Sequence, residues 1–96
     1  MFERLYDVSE NASLNFVGYM TDSARYDFAI VYTDHFFGKP LVVCMQTGRS
    51  APLCSEDLSH LDYLQKLYNL SHRSDAEELA SFLEQHIHSV RYNDEY

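Results

Sequence analysis

The sequence predicts an α+β domain, an antiparallel sheet with two helices packed on one of its faces. Two observations carry this reading. From Phe16 to Cys44 the apolar residues fall in short runs with strand-like alternation, whereas from Asp57 to Ile87 they recur every three or four positions, as on helices. The 96 residues suit one domain spanning 1–96, and a hydrophobic share of 46% is ordinary for a globular chain. No internal repeat, linker or low-complexity stretch interrupts it.

The elements follow in order. Phe2 to Val8 alternate weakly, which suggests a short edge strand, and Ser9 to Ser13 form a polar connector. Asn15 to Met20 read as a strand closed by the turn residues Thr21-Asp22-Ser23. Tyr26 to Thr33 have period two, with Tyr26, Phe28, Ile30 and Tyr32 on one face and Asp27, Ala29, Val31 and Thr33 on the other. Gly38-Lys39-Pro40 turn the chain into Leu41 to Gln46, a run apolar on both faces that belongs toward the middle of a sheet. Short loops between these strands make the sheet a meander of four or five strands.

Thr47 to Cys54 read as a loop. Ser55 before Glu56 and Asp57 has the composition of a helix N-cap with acids in the first turn, and Leu58, Leu61, Leu64 and Leu67 or Tyr68 form an apolar stripe. Asn69 to Arg73 break that stripe. Ser74 and Glu77 then stand at capping-box spacing, ahead of Ala76, Leu79, Ala80, Leu83 and Ile87. Ser89 to Asn93 suggest a final short strand, and residues 93–96 a frayed tail.

Composition bounds the function. Fifteen acids against seven Lys and Arg give a net charge of −8. Residues 1–50 hold six acids and four bases (−2), and residues 51–96 hold nine acids and three bases (−6). Phosphate backbones are held by Lys and Arg, so nucleic-acid binding is the weakest of the functional alternatives for such a chain. Cys44 and Cys54 are not spaced as CxxC, and Cys44 lies in an apolar run, as a free thiol does in a reduced compartment. No signal-type stretch opens the chain and no run reaches membrane-spanning length, so Asn11 and Asn69 in their Asn-x-Ser sequons are expected to be unmodified. The expected location is cytoplasmic, with no membrane partner.

The opening Met1-Phe2-Glu3-Arg4-Leu5-Tyr6-Asp7, the stretch Asn15 to Asp27 and the segments His35 to Pro40 and Gln46 to Ser50 together have a specific cast. They resemble domain-of-unknown-function family 3055, short cytosolic proteins of Gram-positive bacteria (Firmicutes), over nearly the full length. The resemblance implies one small domain in a bacterial cytosol. It implies no activity and no site residues.

Candidate chemistry is sparse. The loop Thr47-Gly48-Arg49-Ser50 could bind a small anion or phosphorylated ligand, because glycine lets backbone N–H groups converge and Arg49 adds a planar fork of donors; Gly48, Arg49 and Ser50 are the candidates. It lacks P-loop spacing. Five histidines (His35, His60, His72, His86 and His88) stand at no zinc-ligand spacing with cysteine or carboxylate, so neither metal nor cofactor is expected. No nucleophile has a base at a favourable spacing, which argues against an enzyme.

Eight Tyr and six Phe point elsewhere. Two short helices cover one sheet face. If the Tyr26 face meets them, Ala29 and Val31 lie on the other, with either Leu41, Val43 and Met45 or their complement from the doubly apolar strand. An uncovered apolar patch of this kind marks a protein-interaction surface, unless the N-terminal segment or loop 34–38 folds over it. The leading expectation is a non-catalytic interaction or regulatory module, acting by self-association or on a protein partner through the sheet face or edge.

Overall fold

The computed structural model describes residues 3–22, 24–36 and 38–94, with side chains to residue 87. Four antiparallel strands lie in sequence order, β1 (Ser13–Met20), β2 (Arg25–Tyr32), β3 (Leu41–Cys44) and β4 (Ser50–Pro52). A 3-10 turn (Asp57–Ser59) leads to helix α1 (Leu61–Leu67), and α2 (Arg73–Asp94) ends the described chain. The predicted α+β meander with two helices is what forms.

Period two in β2 sets the layers. Tyr26, Phe28 and Ile30 are buried in one core with Val42 and Cys44 of β3, Leu64 and Tyr68 of the first helical segment, and Ala76, Leu79, Ala80, Leu83 and Ile87 of α2. The helices therefore cover the Tyr26 face. Register carries the opposite parity to the outer face: Phe16 pairs with Ala29 and Ala29 with Val43, while Leu14 pairs with Val31 and Val31 with Leu41.

Several boundaries differ from the sequence reading. Residues 3–8 form no strand, and Phe2 lies outside the described residues. Leu5, Tyr6 and Val8 are exposed, so the weak alternation of this segment buries no apolar face. The fourth strand instead comes from the expected loop. Gly48 adopts φ 75°, a left-handed angle that glycine accepts freely, and its N–H donates to Cys44 O at 2.8 Å. That turn folds Ser50–Pro52 back onto β3, at the sheet edge where a proline's missing N–H costs no ladder bond.

The first helical stripe is split. His60 (φ −97°, ψ 79°) interrupts it, leaving a 3-10 turn and a seven-residue helix. Ser55 does not cap it; the Asp57 carboxylate accepts the Cys54 N–H at 2.9 Å and the Cys54 thiol at 3.3 Å. Asn69 at φ 53°, an angle that Asn tolerates better than most residues, reverses the chain into α2. That helix starts at Arg73, so Ser74 lies within its first turn rather than before it. No Gly or Pro follows Ile87, and the helix continues through residues 89–93, where a final strand was expected. The expected tail thus begins in α2, and residues 95 and 96 lie outside the described chain.

Two predictions follow from this packing. Leu79 and Leu83 are fully buried, and replacing either with Ala should lower stability by about 2–4 kcal/mol in urea unfolding. A loss below about 0.5 kcal/mol at both positions would contradict the docking of α2. The backbone hydrogen bond from Cys54 holds the Asp57 carboxyl below the usual carboxylate range. Its stabilisation is therefore complete at neutral pH and lost as pH falls through that depressed value. Asp57→Asn should remove this part of the acid sensitivity of the melting temperature, and an unchanged pH profile would refute it.

Candidate interaction surface

The outer sheet face is built from alternate residues of all four strands. Leu14, Phe16 and Met20 of β1 stand beside Ala29 and Val31 of β2, then Leu41 and Val43 of β3, with Pro52 of β4 opposite Leu41. Met45 continues the parity just beyond β3, its N–H donating to Asp27 O at 2.8 Å. Phe16 is 67% exposed, Met45 54% and Leu14 52%. Ala29 is buried between larger neighbours, and Val31, Leu41 and Val43 are half-buried.

The described residues of the two proposed covers leave Leu14, Phe16 and Met45 of this face exposed. The N-terminal segment is tethered at the far end of β2, where the Glu10 carboxylate accepts the Thr33 hydroxyl and the Asp34 N–H. Those bonds hold its carboxyl below the ordinary range, the Thr33 bond most strongly. Tyr6 stacks obliquely on His35 at 5.2 Å, while Leu5, Tyr6 and Val8 stay exposed. Residues 34–36 and 38 are exposed as well.

A polar corner bounds the patch. Asp27 receives the Gln46 side-chain amide at 2.7 Å and pairs with Arg25 at 3.3 Å. Opposite Asp27 in the register stands Gly18, and a Cβ there would meet Asp27 Oδ1 at 2.5 Å. Only glycine leaves that carboxylate its place.

All five expected surface residues, Ala29, Val31, Leu41, Val43 and Met45, share this one face. The sequence reading omitted Leu14, Phe16 and Met20, although they alternate with the half-buried Asn15, Val17 and Tyr19. That alternation was the available signal, but Gly18 and the apolar Val17 blurred it.

The Thr47–Ser50 loop is exposed, yet its donors are engaged within the chain. The Gly48 N–H closes the turn, the Arg49 N–H donates to Thr47 Oγ1 at 3.2 Å, and Arg49 Nη1 donates to Lys66 O at 2.9 Å and Leu67 O at 3.4 Å. Arg49 thus places a cation on the C-terminal carbonyls of α1, where the helix end favours positive charge. Tyr26 spans the same two layers on the other side, its hydroxyl donating to Asp75 at 3.3 Å and accepting the Ser71 N–H at 3.3 Å.

The chain matches the model of the SAV0927-like proteins over residues 5–85. It belongs to the SAV0927-like family. This assignment reaches from the N-terminal segment through the whole sheet and well into α2, and it names a family rather than a chemistry. No curated protein matches the chain. Among the described residues no group of three His, Cys, Asp or Glu could hold a metal ion, and no helix is long and apolar enough to cross a membrane.

The Arg49 contacts give a direct test. Arg49→Ala should lower stability by about 1 kcal/mol in urea unfolding, with or without phosphate in the buffer. Stabilisation of the unaltered protein by phosphate that disappears in Arg49→Ala would instead make the loop an anion site.

Proposed function

We propose that this SAV0927-like protein is a non-catalytic interaction module of the bacterial cytosol, working through the outer face of its sheet. The observation that carries this reading is the uncovered apolar face itself. Leu14, Phe16, Val31, Leu41, Val43 and Met45 make a continuous surface on a chain of net charge −8, and the charges among them, Arg25 and Asp27, neutralise one another. An exposed apolar patch with a polar rim is the usual mark of a protein contact site.

The acidic helical layer opposite adds direction. Residues 51–96 carry a net −6, so an acidic partner is repelled from that side and meets less repulsion on the other.

The test is affinity capture from cytosolic extract with the tagged full chain, beside a Val31→Lys/Val43→Lys variant. Both valines are half-buried, so lysine stems can lie along the sheet with their charged ends in water, and the variant's circular-dichroism spectrum and melting transition verify its fold. Proteins retained by the unaltered chain should be missing from the variant. Identical recoveries would refute the outer face as the contact surface.

A further inference from the structure

The outer face is a trough rather than a plane. Along β2 it presents Ala29 and Val31, and Ala29 is buried although its side chain ends at Cβ. The register sets Phe16 of β1 on one side of Ala29 and Val43 of β3 on the other. Phe16 and Leu14 are mostly exposed, so β1 forms the higher wall, and the exposed Met45 stands on the β3 side. Floor and walls belong to different strands, so the trough runs along the strand direction.

That shape suits a helix. A second sheet laid over the face would meet the Phe16 ring first and leave Ala29 uncovered, whereas the side-chain ridge of a helix can enter between the walls. On the inner face α2 supplies such a layer with Ala76, Leu79, Ala80 and Leu83. Among the described residues nothing plays that part on the outer one.

Charge narrows the kind of helix. Beyond Tyr32, the exposed carboxylates of Glu10 and Asp34 gather around Thr33, which continues the outward parity of β2. Among the described residues neither forms an ion pair with Lys or Arg, and His35 beside them is stacked with Tyr6 and Phe36. At the opposite end Asp27 is neutralised by Arg25. The other described arginines are engaged elsewhere, Arg4 with Asp7, Arg49 on the carbonyls that end α1, and Arg73 with Asp62. The face thus offers carboxylates at one end and, among the described residues, no free guanidinium to receive an acidic partner.

We infer that the trough receives an amphipathic helix of a partner protein, apolar along the stripe that meets Ala29 and Val31 and carrying Lys or Arg at the end that reaches Glu10 and Asp34. The inference rests on the interaction reading and narrows it to one class of partner. From Asp27 to Thr33 the face is about 20 Å long, which a helix of about 13 residues spans. A contact of that length buries less than the roughly 800 Å² per side of a standard interface. The complex is therefore a transient one, held by apolar burial and steered by charge.

Binding of fluorescent synthetic peptides to the full chain, followed by anisotropy, is the experiment. Both probes are helices of about 16 residues with one Leu stripe, the other positions being Lys and Ala in the first and Glu and Ala in the second. The Lys peptide should bind about tenfold or more tightly than the Glu peptide, and added salt should narrow the difference. Phe16→Ser removes the higher wall without changing charge and should weaken the Lys peptide by about tenfold. Glu10→Gln/Asp34→Asn should weaken it by about fivefold, and Glu77→Gln/Glu78→Gln, on the exposed side of α2, should leave it unchanged. Melting transitions near that of the unaltered protein verify each fold. A loss in Glu77→Gln/Glu78→Gln equal to that in Glu10→Gln/Asp34→Asn would reduce the binding to general attraction and overturn the inference. Equal binding of both peptides, lost in Phe16→Ser, would overturn the basic class while keeping the face as a contact surface. Binding of neither peptide would overturn the helix, and capture from extract still decides the face on its own.

Discussion

Tyr68 joins the two halves of this domain. Its ring is fully buried, meets Phe28 edge-on at 5.3 Å, and its hydroxyl donates to Val42 O at 2.8 Å. One side chain thus fills the space between layers and satisfies a buried carbonyl of the second interior strand, as an amphipathic aromatic can and a phenylalanine cannot. Burial drives its phenol well above the ordinary range, so the bond stays a neutral one at any physiological pH. The residue sits where α1 ends, just before Asn69 reverses the chain, and Arg49 grips the carbonyls beside it. The path of α2 across the Tyr26 face follows from that anchoring.

With one face committed to helices, the rest of the chemistry divides cleanly. Tyr19, Tyr26 and Asp75 collect beneath the sheet, and the Tyr19 hydroxyl is buried there without a hydrogen-bond partner among the described residues. Burial is the main cause that pushes Tyr19 upward, with the Asp75 charge next. Polar groups are thus hidden on the helical side while apolar ones are displayed on the other, the reverse of a sheet whose free face looks only into water. A protein that had nothing to bind there would gain by exchanging Phe16 and Met45 for polar residues.

Periodicity made the layers legible, and pairing did not. The alternation of β2 identifies Tyr26, Phe28 and Ile30 as interior, and the spacing of Leu79, Ala80, Leu83 and Ile87 identifies the buried stripe of α2, because each pattern has one strong reading. Ser50–Pro52 is too short to show a period, and it becomes a strand only because the Gly48 turn returns it to β3. The N-terminal segment fails in the opposite way, showing an alternation that finds no partner. The five surface residues were legible as a set because strand parity links them, but Leu41 to Met45 is apolar throughout. Which half of that run faces out is decided by register with Ala29 and Val31, a property of two strands at once.

The contact between Gly18 and Asp27 ties two positions nine residues apart into one choice. Within the family, a side chain at the position of Gly18 should appear only with a smaller or differently turned residue at that of Asp27, and Gln46 and Arg25 should drift once that carboxylate is gone. The hairpin should therefore leave its trace as covariation, with the four positions exchanging as a group while the buried residues beneath them vary only in size.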